Sequence, residues 1–117
     1  MDIKKLYTRD RHNAGSEVRV KDELGNDTDM YIRVVGMDSN AWNSIQLSIG
    51  RDHADGKEIE THEILADATI GWRGVESDGV ELEFSRDLVR DLYFSAPYIA
   101  EQVNRFIGNR RNFTQPT

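Results

Sequence analysis

Residues 17–21 (Glu-Val-Arg-Val-Lys) alternate strictly between polar and apolar side chains, and residues 30–35 (Met-Tyr-Ile-Arg-Val-Val) are rich in β-branched and aromatic ones. Both patterns predict strands, the first with one face turned to a core. The polar residues 22–29 between them read as a long hairpin loop with a turn at Gly25-Asn26. Gly36 ends the second strand, and Asp38 or Ser39 stands where a side-chain oxygen can accept from the free amides of a following helix. Trp42, Ile45 and Ile49 then recur at helical spacing as one apolar stripe, with Asn43, Ser44, Gln46 and Ser48 outside it. Residues 50–57 interrupt the stripe and predict a loop, after which a second helix over 58–69 buries Ile64, Leu65 and Ala68.

Residues 66–84 form the connector about which the other elements are arranged. Ile70 and Trp72 are large and apolar and predict burial, Gly71 and Gly74 admit positive φ, and Ser77-Asp78-Gly79 is a turn signal between Val75, Val80 and Leu82. Ser85 caps a third helix. Asp87 adds negative charge to its first turn, Phe84 is placed to pack on Val89, and Leu88, Val89, Leu92 and Tyr93 make its inner face. Ala96 precedes a proline and ends that helix, while Pro97 opens a fourth on which Ile99, Val103, Phe106 and Ile107 face inward as far as Gly108. Phe113 is the last apolar anchor. The expectation is an α+β fold in one domain over residues 17–113, a small antiparallel β unit near the N-terminus packed on about four helices. A flexible arm over 1–16 and a disordered tail over 114–117 flank it.

A chain of 117 residues with 38% hydrophobic content is of one-domain size and can fill one modest core. Charge adds a second constraint. The net charge is -6, yet residues 22–87 hold 16 Asp or Glu against 5 Lys or Arg, a local balance of -11, while Lys4, Lys5, Arg9 and Arg11 and, near the other end, Arg105, Arg110 and Arg111 are basic. An acidic middle argues against binding phosphate backbones, whose affinity comes from cationic side chains releasing counterions. With no cysteine, disulfides and thiolate metal sites are excluded. No apolar run approaches the ~20 residues that span a bilayer, and no apolar signal-peptide core is present, so no membrane partner and a cytoplasmic location are expected.

The candidates for chemistry fail on spacing. The carboxylates of residues 22–29 lack the glycine and glutamate positions of a calcium-binding EF-hand loop. His62-Glu63 opens like a zinc-protease motif, but Ala66 stands where the second histidine is required. His53 and His62 are therefore expected to be surface histidines, with no metal and no cofactor. There is no nucleophile elbow, Walker loop or dinucleotide fingerprint, and Glu81 and Glu83 alternate on a strand edge where carboxylates are solvated, so no enzymatic activity is expected. Trp42, Trp72 and Phe113 are the candidates for partner binding, because large aromatic side chains anchor interfaces.

The order Val35-Gly36-x-Asp38-Ser39-x-Ala41-Trp42, then residues 66–72, then Asp78-Gly79 to Phe84-Ser85, then Pro97-x-Ile99 to Gln102-Val103, then Phe106-Ile107-x-x-Arg110-x-Asn112-Phe113 resembles the tail assembly chaperones of long-tailed bacteriophages. The likeness covers residues 30–113 and rests on structural residues, with no catalytic signature. It implies a non-enzymatic protein that binds and solubilises the tape measure protein and helps recruit tail tube subunits. It also implies residence in the host bacterial cytoplasm, absence from the mature virion, and self-association along the client. A small head-tail connector or neck protein would share this size and charge, and an acidic DNA mimic is the third reading.

Overall fold

A computed structural model describes residues 1–114, so the expected tail over 114–117 lies, beyond Thr114, outside the described residues. Two strands form where alternation and β-branched content predicted them, β1 (Ser16–Lys21) and β2 (Asp27–Val34), paired antiparallel with Val18 opposite Ile32. The loop between them is shorter than expected because β2 begins at Asp27. Asp22 Oδ1 accepts from the amides of Leu24 and Asn26 and closes the turn there, with Gly25 at φ 84°.

The connector differs most from its reading. Thr69–Arg73 is not the end of a helix but a third strand, β3, which pairs antiparallel with β2 and makes the sheet order β1-β2-β3. Trp72 lies directly opposite Ile32, on the inner face, and its indole N–H donates to the Leu82 carbonyl at 2.9 Å. It is half-buried against Phe84. Ile70 sits at a register shift and is 45% exposed, and Gly71 keeps negative φ; the positive-φ glycine is Gly74, whose Cβ would meet the Asp29 carbonyl. Asp78 and Gly79 both take positive φ, the mirror-image turn that matches strand twist, and join the short strands β4 (Glu76–Ser77) and β5 (Val80–Glu81).

Five α-helices complete the described chain. The expected flexible arm holds a 3-10 turn (Ile3–Leu6) and α1 (Arg9–Ala14), and His12 of α1 is buried. α2 (Asn40–Ala54) is capped by Ser39, whose Oγ accepts from the Trp42 amide, and it runs straight through Gly50. What ends it is Gly56. With Gly56 at φ 77°, its amide reaches the His53 carbonyl and that of Lys57 reaches Asp52, the paired bonds of a left-handed helix terminus. α3 (Thr61–Asp67) is shorter than predicted at both ends, because Glu60 is extended and β3 begins at Thr69. α4 (Arg86–Ser95) and α5 (Pro97–Ile107) break at Pro97 as the sequence requires, Ser85 capping α4, and a second 3-10 turn follows (Arg110–Phe113).

The core is a single layer between the inner sheet face and the helices. Val18, Val20, Ile32 and Val34 meet Val89, Tyr93, Val103 and Ile107, with Leu65 and Ala68 closing one end. Leu88 falls outside it, 39% exposed. Thr69 Oγ1 donates to the Leu65 carbonyl at 2.7 Å, so Tyr93 must donate to Thr69 across their 2.8 Å contact, and both buried hydroxyls are satisfied. Burial raises the Tyr93 pKa and keeps that donor in place. Arg86 bridges Asp67 (2.6 Å) and Glu63 (2.7 Å), tying α3 to α4 on the surface. The opposite sheet face is polar: Arg73 lies 3.8 Å over the Tyr31 ring and pairs with Glu17.

Gly36 has no room for a side chain, since a Cβ there would stand 2.0 Å from His12 Nδ1. Its φ is ordinary, so any cost of substitution is steric. Gly36→Ala is expected to lower unfolding free energy by about 1 to 3 kcal/mol, the usual cost of overpacking a filled site. Urea denaturation checks this, and an unchanged midpoint would contradict the packing.

Candidate partner-binding surfaces

The sequence-predicted aromatic residues do not converge. Phe113 is 2% exposed, stacked on His12 at 4.8 Å and edge-on to Phe106, so it fills the core. Trp72 is pinned by its hydrogen bond to Leu82 on the inner sheet face. Trp42 is half-buried in the first turn of α2, where it packs against the edge of the core. His53 is exposed, whereas His62 is half-buried edge-on against Phe94 at 5.2 Å.

The polar centre of the molecule was missed by sequence reasoning and lies around Asp38. Arg110 clamps its carboxylate with Nη2 at 2.9 Å and Nε at 3.0 Å, and Thr8 Oγ1 donates to it at 2.7 Å. His12 Nδ1 accepts from the Asp38 amide at 3.0 Å, which leaves the ring proton on Nε2, 3.5 Å from Asp38 Oδ2. Each of these groups is already engaged by the chain itself. The cluster fastens the N-terminal segment, the exit of β2 and the last 3-10 turn to one another.

Two apolar surfaces are left unfilled. The first is a cleft between α2 and α3, walled by Ile45, Ile49, Ile59 and Ile64 and rimmed by Asp52 and Asp67. α2 packs chiefly against α1 and α3, and of its 15 residues only Ile45 is buried. The radius of gyration, 15.2 Å, exceeds the about 13 Å of a fully compact chain this long, consistent with a projecting helix. The second is a groove of about 470 Å³ between α3, α4 and α5, floored by Tyr93, Phe94, Pro97 and Ala100 and rimmed by Glu60 and Glu101. Phe94 is 69% exposed there. A signal for it existed: on the helical wheel Phe94 shares the polar side of α4 with Asp87, Arg90 and Asp91, so a large aromatic sits where the core cannot reach it.

No family model, no curated protein and no solved structure matches this chain. Its surfaces must speak from their own chemistry. Among the described residues no group of three or more His, Cys, Asp or Glu side chains is placed to hold a metal ion, and no helix is long and apolar enough to cross a membrane.

Burial pushes the His12 pKa below its ordinary 6.5, aided by Arg110 and Arg11 and opposed by Asp38. The Arg110 and Thr8 hydrogen bonds hold Asp38 at about 2, against an ordinary 3.8. Both groups bind fewer protons folded than unfolded, so both contributions are lost on acidification. That of His12 is complete above pH 6.5 and declines as the pH falls toward its lower folded value; that of Asp38 is complete above 3.8 and is lost as the pH falls through about 2. Stability measured against pH is expected to fall in these two windows. Arg110→Ala, which releases Asp38 toward its ordinary pKa, should flatten the acid limb between 3.8 and about 2.

Proposed function

We propose that the chain is a bacteriophage tail assembly chaperone that binds and solubilises the tape measure protein and helps recruit tail tube subunits. The observation that carries the reading is the open α2–α3 cleft. Trp42, Ile45 and Ile49 run along one side of a projecting helix, and Ile59 and Ile64 form the facing wall, so an amphipathic helix laid between them would have its apolar face covered. A long helical client exposes such faces before assembly. Asp52 on the rim of the cleft, with Glu58 and Glu60 outnumbering Lys57 beside it, leaves a net negative charge that favours a client helix with basic flanks. The order of structural residues from Val35 to Phe113 agrees with the same reading. The protein then acts in the host bacterial cytoplasm, without enzymatic chemistry or cofactor, and leaves the tail before the virion is finished. Trp42 belongs to the client surface in this reading, whereas Trp72 and Phe113 support it from within.

Co-expression with the long helical tail protein of the same genome tests this. Soluble yield of the client is expected to rise with the chain present and to fall back with Ile49→Asp or Ile59→Asp, two half-buried positions at the cleft, while the melting temperature of the chaperone changes by no more than a few degrees. Equal insolubility of the client with and without the chain would sink the proposal.

A further inference from the structure

We infer that the α3–α4–α5 groove receives the N-terminal 3-10 turn of a second copy of this chain. The turn adds nothing to the buried core, and Leu6 and Tyr7 only wall an open cavity beside Asp38 and Arg110. None of its residues is buried, and Ile3, Leu6 and Tyr7 are each at least 60% exposed, an apolar segment that stands outside its own core. It is nevertheless shaped and held: Asp2 caps it through the Lys4 amide, and Thr8, two residues beyond its end, is fixed to Asp38. The groove shows the converse deficit, with Phe94 exposed over Tyr93, Pro97 and Ala100.

Charge selects this occupant. Lys4 and Lys5 of the turn are cations with no ion-pair partner in their own chain among the described residues, and Glu60 and Glu101 on the groove rim likewise have no cation in contact. Docking Ile3, Leu6 and Tyr7 onto Phe94 and Pro97 brings the two pairs together. The contact is between unlike surfaces, so copies can exchange turns in pairs or add head to tail. It involves only this chain and stands whether or not the chaperone reading is right. If that reading holds, neighbours on one client are linked, and each gains effective concentration from the next.

The full chain alone, followed by sedimentation velocity over a wide concentration range, tests the contact. The wild type is expected to self-associate increasingly with concentration and less at high salt. Leu6→Glu and Phe94→Glu, both at exposed sites, should each weaken self-association by about tenfold or more while leaving the melting temperature near the wild-type value; Leu6→Ser and Phe94→Ser serve in their place if a charged variant misfolds. The decisive measurement is the mixture. A Phe94→Glu chain still offers its turn and a Leu6→Glu chain still offers its groove, so the two together should form a one-to-one dimer that neither forms alone. A wild type that stays monomeric, an assembly indifferent to both substitutions, or a mixture that stays monomeric would each overturn the inference.

Discussion

Three segments distant in sequence, α1, the exit of β2 and the final 3-10 turn, meet at one buried imidazole. The His12 ring is 1% exposed, lies on Gly36 and stacks on Phe113, so it is gripped by the exit of β2 on one side and the last turn of the described chain on the other. Gly36 donates its amide to the His12 carbonyl, and Asp38 donates its own to Nδ1. The same Asp38 then uses its carboxylate to hold Thr8 and Arg110. One residue after this knot, Ser39 caps α2, and Asn40 is bound by both Asn13 and Arg9. The direction in which α2 leaves the body is therefore set at its base by polar contacts, since burial along its length is too slight to set it.

This knot also explains what could and could not be read from sequence. Elements whose evidence is local were legible: the alternation of residues 17–21, the Ser85 cap with its inner face of Val89 and Tyr93, the break at Pro97. Elements that exist by virtue of a distant partner were not. His12 looks like one more polar residue in a charged arm until Gly36 and Phe113 are beside it. Thr69–Arg73 has a glycine at its centre and no strict alternation, and it becomes a strand because β2 offers an open edge with Ile32 opposite Trp72. Gly50 resembles a helix terminator, with a cost of about 1 kcal/mol relative to alanine. Yet termination needs a left-handed residue followed by closing amides, and Gly56 supplies them. Of the candidate partner residues, sequence could identify aromatic side chains but not which of them a core would claim. Trp72 and Phe113 were claimed and Phe94 was left out.

The distribution of charge and of apolar surface are two aspects of one compromise. A chain that leaves Phe94, Leu6 and Tyr7 in water and a lined cleft beside α2 carries a risk of indiscriminate association. Its acidic middle opposes that risk, because unfilled surfaces ringed by Asp and Glu repel their own kind and admit only partners that bring cations. Of the basic residues near the two ends, Arg110 is consumed in the knot, and Lys4 and Lys5 are left outside. Like charges keep grooves from meeting grooves, and the choice of partner falls to whatever carries the opposite sign.

Local stability follows from the same layout. The sheet and the α3–α4–α5 layer bury the large side chains and set the global unfolding free energy, whereas the outer half of α2 beyond Ile45 contributes half-buried Ile49 and little else to the core. A helix gains most of its stability from packing an apolar face, and this one contains a glycine and leaves much of that face in water. Its terminus is well made all the same, with two closing bonds at Gly56, so the segment is set up as a helix without being anchored as one. A partner helix lying in the cleft would supply the missing burial and order α2 as it binds. Part of any such binding energy would then be spent on completing this chain, which would weaken the contact.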